Sequence, residues 1–144
     1  MEYISGFVAG TKVLTKKGSK AIEKITTKDY VRVDDDNYQK VKEVITGESD
    51  DIYQLSVLFQ PDTLVAGSQQ YQVRHKTEDG YGYPEWCLVK DVAVDDLVAT
   101  YIQDDCASLV RPVKGIKKFD GTQKVYSLKV ETHRYTANGI VTHD

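Results

Sequence analysis

The chain has 144 residues, with 19 basic and 22 acidic side chains and a formal net charge of −3. That length fits one domain able to bury a core without metals or disulfides, and the near-balanced charge lacks the basic footprint of a nucleic-acid binder. No apolar run reaches the roughly 18 residues of a membrane-spanning helix, and no basic–apolar–small leader opens the sequence, so a cytoplasmic protein with no membrane contact is expected.

Val, Thr and Tyr are abundant while Met and Ala are sparse, a balance that favours strands. Short alternating apolar runs recur between turn signals, which points to an all-β fold. After Met1–Ser5 comes Gly6-Phe7-Val8-Ala9-Gly10-Thr11-Lys12-Val13-Leu14, then a hairpin turn at Lys16-Lys17-Gly18-Ser19. The acidic turn Asp34-Asp35-Asp36-Asn37 lacks the Gly and Glu spacing of a calcium loop and reads as solvated. Gln39 to Ile45 and Ile52 to Val57 are strand candidates separated by the turn Gly47–Asp51. The stretch Thr63 to Val73 carries Ser68-Gln69-Gln70-Tyr71. His75 reads as a surface residue, Glu78 to Pro84 as a polar loop, and Trp86 to Val89 as the start of a buried strand or turn. Cys87 and Cys106 lie in unrelated contexts and read as reduced structural thiols.

One unit of sequence is repeated. Ala21-Ile22-Glu23-Lys24-Ile25 with Asp29-Tyr30-Val31 matches Leu88-Val89-Lys90-Asp91-Val92 with Asp96-Leu97-Val98, 67 residues later. Ile52–Val57 matches Lys124–Val130, aligned on Tyr53 and Tyr126, and Val41–Val44 pairs loosely with Val113–Ile116. Two copies of one strand–turn–strand unit imply a pseudo-twofold β structure, since a single duplication is too short for a solenoid.

The last twenty residues, Val125 to Asp144, are the most informative. Val125, Ser127, Lys129 and Glu131 alternate with Tyr126, Leu128 and Val130, the period of a half-buried strand. Thr132-His133-Arg134-Tyr135 follows. Asn138-Gly139 is a strong two-residue turn signal, reversing the chain into Ile140-Val141-Thr142-His143-Asp144.

Taken together these segments resemble inteins, the self-splicing members of the Hint (hedgehog/intein) superfamily. Intein N-termini read C-F-x-x-G-T-x-V-L, and their C-terminal blocks run V-Y-D-L-x-V, H-x-F and A-N-G-I-x-V-H-N. Here GFVAGTKVL, VYSLKV, THRY and ANGIVTHD match in order and spacing, from residue 6 to residue 144, without an endonuclease insertion. The resemblance implies an all-β, horseshoe-shaped Hint domain over residues 6–144 in which both ends meet, with residues 1–5 as a start methionine and short flanking segment. It implies self-excision with ligation of the flanking extein polypeptides, by a monomer that needs no cofactor or metal. It also implies three steps: attack on the N-terminal junction by a Cys or Ser side chain, polarisation of that amide by a T-x-x-H motif, and cyclisation of a terminal Asn assisted by the penultimate His.

On that register Gly6 holds the position of the first nucleophile, Ser68 that of the Thr and Tyr71 that of the His. His133 matches the second family His and His143 the penultimate one. Asp144 stands where Asn is usual, and Ser127 where many inteins carry Asp. Gly6 cannot be a nucleophile, and Asp144 has no side-chain nitrogen to close a ring. Three readings remain open: substitution of the end positions to trap an uncleaved state, a nucleophile elsewhere (Ser5, one residue upstream, or Ser127), or a Hint domain that has lost splicing. Ser127 as an ordinary solvent-facing strand residue and Tyr71 as a packed aromatic are the plain alternatives at those positions. Three rivals to splicing are an intein-like or hedgehog-type autoprocessing domain that cleaves without ligation, a non-catalytic β binding module, and a Ser68–His143–Asp144 hydrolase. The last is weakened because adjacent strand residues point to opposite faces.

Overall fold

The protein is described by a computed structural model at residues 5–34, 37–100 and 109–143. Asp35, Asp36, Cys106, Asp144 and the flank Met1–Ile4 lie outside the described residues. The short apolar runs form strands throughout. The first half holds β1 (Phe7–Val8), β2 (Lys12–Thr15), β3 (Gly18–Ala21), β4 (Tyr30–Asp34), β5 (Asn37–Lys40), β6 (Glu43–Ser49) and β7 (Ile52–Val57). Then come β8 (Thr63–Ala66), β9 (Gln70–Arg74), β10 (Lys76–Thr77), β11 (Gly80–Tyr81), β12 (Glu85–Leu88) and β13 (Leu97–Thr100). The chain closes with β14 (Leu109–Phe119), β15 (Gln123–Lys129), β16 (Arg134–Ala137) and β17 (Ile140–His143).

Fifteen strands form one antiparallel sheet: thirteen along the path β5-β4-β2-β16-β17-β9-β13-β14-β7-β8-β1-β15-β6, with β12 added on β9 and β3 on β2. The all-β expectation holds. The segment read as one strand from Gln39 to Ile45 is instead broken at Val41–Lys42. There the chain changes partner, β5 pairing with β4 and β6 with β15, while Val41 turns inward. The loop expected at Glu78–Pro84 contributes Gly80–Tyr81 to a small hairpin with Lys76–Thr77.

The sequence repeat is a repeat of structure. Ile22–Lys24 and Val89–Asp91 are matching 3₁₀ turns. After each, a carboxylate accepts a backbone N–H three residues upstream: Asp29 from Thr26 at 2.8 Å and Asp96 from Ala93 at 3.0 Å. The carbonyls of Asp29 and Asp96 in turn accept from Val41 and Val113, the loosely matched pair of the sequence. The core lies between the two halves and is mostly Val, Ile and Leu with Phe7, Tyr71 and Tyr135.

His75 keeps a partly exposed side chain, as expected of a surface residue, but it is paired on both ring nitrogens. Its Nδ1 lies 2.8 Å from Asp96 Oδ2 and its Nε2 3.2 Å from Glu85 Oε1. Sequence alternation missed this because the partner carboxylate arrives from 21 residues away. Asp96 itself is buried, which pushes its pKa up, but hydrogen bonds from Lys76 N–H, Ala93 N–H and the His75 ring outweigh burial and hold it below the usual carboxylate range. A carboxyl whose folded pKa is depressed contributes stability above its unfolded value of about 3.9, lost as pH falls through the folded value. Asp96→Asn should therefore cost about 1–3 kcal/mol at pH 7, with the gap to the parent closing below about pH 4. Urea denaturation at pH 7 and pH 3 checks this; a gap unchanged with pH would show that ionisation is not the source.

Candidate functional site

The N-terminal approach is built by β1, a strand of two residues inserted between β8 and β15, with Phe7 opposite both Val65 and Tyr126. Phe7 has no exposed surface, and its ring meets those of Tyr71 and Tyr135 edge-on, each at 6.3 Å. This anchor fixes the two residues before it. The Gly6 carbonyl accepts from Ala66 N–H at 2.9 Å. Gly6 has φ +140°, and a Cβ there would lie 2.5 Å from the Tyr126 carbonyl oxygen. Backbone conformation and space together admit only glycine at position 6. Ser5, one residue upstream, donates from Oγ to the Ser68 carbonyl at 3.3 Å and lies 3.0 Å from Ser68 Oγ. With one proton on each hydroxyl, both contacts are satisfied together when Ser68 Oγ donates to Ser5 Oγ.

The C-terminal approach is β16–turn–β17. Asn138 and Gly139 have φ of 49° and 79°, the double positive φ of the type I′ turn that the Asn-Gly pair announces. Asn138 locks this turn from three sides. Its Oδ1 accepts from Lys12 N–H at 2.8 Å, its own N–H donates to Lys12 O at 2.7 Å, and its Nδ2 donates to Thr63 Oγ1 at 2.9 Å. On β17, Thr142 and His143 pair with Tyr71 and Gln70 of β9. The His143 ring stacks on His133 at 5.9 Å, nearly parallel, and receives Trp86 edge-on at 5.0 Å. His133 holds φ 63° just before β16.

No protein-family model and no curated protein matches the sequence. Solved structures do. A bacterial intein-like domain from Clostridium thermocellum superposes with a TM-score of 0.77 at 23% identity, covering 98% of this chain and 99% of that one. A DnaB intein from Synechocystis sp. PCC 6803 gives 0.78 at 14% identity over 97% and 98%. The gp41-1 intein gives 0.72 at 18% identity over 98% and 99%. The fold is that of the inteins.

Within this intein fold the candidate residues fall into two groups on either side of one segment, Ser68–Tyr71. Ser5 meets Ser68 on one side; His133 and His143 stack on the other. Gly6 and Ser127 belong to neither group. Ser127 is buried on β15 opposite Ile45, so the solvent-facing reading of it fails. Asp144 lies outside the described residues. Gln69, which sequence reasoning passed over as a spacer between Ser68 and Tyr71, joins the two groups. Its Nε2 donates to Thr142 Oγ1 at 2.7 Å and to the His143 carbonyl at 2.5 Å. Among the described residues, no group of three or more His, Cys, Asp or Glu side chains is placed to hold a metal ion, and no helix is long and apolar enough to cross a membrane.

Tyr71 is fully buried, and its hydroxyl has no hydrogen-bond partner among the described residues. Burial pushes its phenol well above the ordinary range. Its ring lies in the core, edge-on to Phe7. An unpartnered buried hydroxyl carries its full desolvation cost, so Tyr71→Phe should raise stability by about 1 kcal/mol in urea denaturation. A loss of stability would show that the phenol has a partner after all.

Proposed function

We propose that this chain is a protein-splicing domain of the intein type, acting on the polypeptide segments that flank it, with Ser5 as its first nucleophile, so that the Hint domain begins at residue 5, one residue upstream of the family register, and runs to residue 144. The observation that carries the reading is that both junction segments dock on the same four residues: Ser5 on Ser68, and the His143 carbonyl on Gln69. Splicing joins what lies on either side, and holding reacting groups together is its main source of rate.

In the first step, Ser5 Oγ attacks the carbonyl of residue 4. The carbon–nitrogen bond breaks, an ester forms, and the hydroxyl proton leaves to the freed Ser5 amine. A serine hydroxyl is weak unless activated. The support for Ser5 is its contact with Ser68 Oγ and the Ser68 carbonyl, which orients the hydroxyl and draws on its proton. Gly6 has neither a side chain nor room for one, which moves the nucleophile one residue upstream of the family register. At the other junction, His143, held between His133 and Trp86, is the proton carrier. Asp144 offers a carboxylate where ring closure needs an amide nitrogen, so the chain with Asp144 is expected to complete the first step and stall before the last.

The test places the chain between two reporter proteins, with Asp144→Asn and a serine after it. Ligated reporters should appear by mass spectrometry, and hydroxylamine should release the N-terminal reporter as a hydroxamate at residue 4. Ser5→Ala should abolish that release, while Ser127→Ala should leave it intact. Intact precursor alone would overturn the splicing reading. Release that survives Ser5→Ala but not Ser127→Ala would move the nucleophile to Ser127.

A further inference from the structure

Gln69 sits between Ser68 and the first residue of β9, and its side chain is fully buried. Its amide orientation is fixed by its neighbours. Thr142 Oγ1 donates its single proton to the Gln70 carbonyl at 2.7 Å, so toward Gln69 it can only accept. The His143 carbonyl can also only accept. Both protons of Gln69 Nε2 are therefore committed, to Thr142 Oγ1 and to the His143 carbonyl. The opposite atom, Oε1, is buried with no hydrogen-bond partner among the described residues. A core position serving packing alone would do better with an apolar side chain of similar length, because an orphaned acceptor costs stability. What the amide gains at that cost is a fixed carbonyl: the one in the peptide linking His143 to residue 144. The Gln69 carbonyl is itself held by Val89 N–H at 2.8 Å, and its N–H by the Ala66 carbonyl at 2.9 Å, so the clamp stands on the second 3₁₀ turn and on β8.

We propose that Gln69 is a positioning residue that couples the two junctions. Its amide fixes the His143 carbonyl, and with it the peptide group that leads into the C-terminal junction. Its backbone, continuous with Ser68, keeps that clamp in register with the seat of Ser5. The proposal rests on the splicing reading above and adds a residue to it. Gln69 touches no reacting atom; it acts through the His143 carbonyl and Thr142.

The experiment uses the two-reporter chain carrying Asp144→Asn, measuring N-terminal release with hydroxylamine and C-terminal release without it. Gln69→Met keeps length and removes both donors. C-terminal release should slow about tenfold or more, the scale set by two lost hydrogen bonds, while N-terminal release changes less. Gln69→Glu gives a second readout that a purely structural role would not produce. As a carboxylate it can only accept, and it faces two acceptors; once protonated it can donate to one of them. Its C-terminal release should therefore rise as the pH is lowered from 8 to 5, relative to the parent over the same range. Circular dichroism establishes that each variant is folded, and if Gln69→Met is not, the Gln69→Glu profile decides. A parent that cleaves, with Gln69→Met releasing at the parent rate and Gln69→Glu showing the parent's pH profile, overturns the role of Gln69 alone. A parent that cleaves at neither junction overturns the splicing reading, and this one with it.

Discussion

The arrangement depends on one buried ring. Phe7 lies edge-on between Tyr71 and Tyr135, with no surface exposed. A strand of two residues has too few ladder hydrogen bonds to hold itself in a sheet, so the desolvated aromatic contact is what keeps β1 between β8 and β15. Its consequences run outward in both directions. Upstream, it presses Gly6 against the Tyr126 carbonyl and leaves Ser5 on Ser68. Across the core, Tyr71 belongs to β9, which pairs with Thr142 and His143 of β17. The N-terminal and C-terminal approaches are thus two contacts of the same strand.

The duplicated unit explains where the chemistry could be placed. Each half builds the same 3₁₀ turn, and the first N–H of each turn is held by a carbonyl at a matching place: Ile22 by Thr11, and Val89 by Gln69. Thr11 and Gln69 are both buried and play the same backbone part. Their side chains differ in reach. A threonine hydroxyl ends near its own backbone, whereas a glutamine amide extends far enough to meet β17. The two halves share a scaffold and differ where one of them must touch the end of the chain. The aspartates show the same divergence: Asp29 is paired with Lys20, and Asp96 with His75.

Much of this was legible in the sequence, because it is written in local signals. The Asn138-Gly139 turn needs two positive φ values, and that pair is the one that tolerates them. The repeat was visible because both copies keep an apolar residue at the 3₁₀ turn and an Asp seven residues later. The parts that were not legible depend on distant atoms. Nothing in GFVAGTKVL says that a Cβ at Gly6 would strike the Tyr126 carbonyl, 120 residues on. Gln69 occupies a spacer position in the motif, and its partners on β17 come from 73 and 74 residues away. The pairing of His75 was hidden because alternation reports a face, not the charge that arrives on it. Ser127 follows its alternation, sharing the buried side of β15 with Val125, but the plain expectation for a hydroxyl on a strand pointed it outward.

Tyr71 and Gly6 are two sides of one packing problem. On the register of the resemblance, the place of the family histidine is held by Tyr71, a larger ring directed at Phe7 in the core, whose hydroxyl has no hydrogen-bond partner among the described residues. A ring so placed cannot serve an amide at the junction and pack against Phe7 at once. With the phenol committed to the core, polar contact with Ser5 falls to Ser68, whose hydroxyl and carbonyl both face it. Position 6, meanwhile, lies so close to β15 that it admits no side chain. The packing that closes the core therefore leaves a pair of hydroxyls, Ser5 and Ser68, in contact one residue upstream of the family register, the pair on which the proposed first step rests.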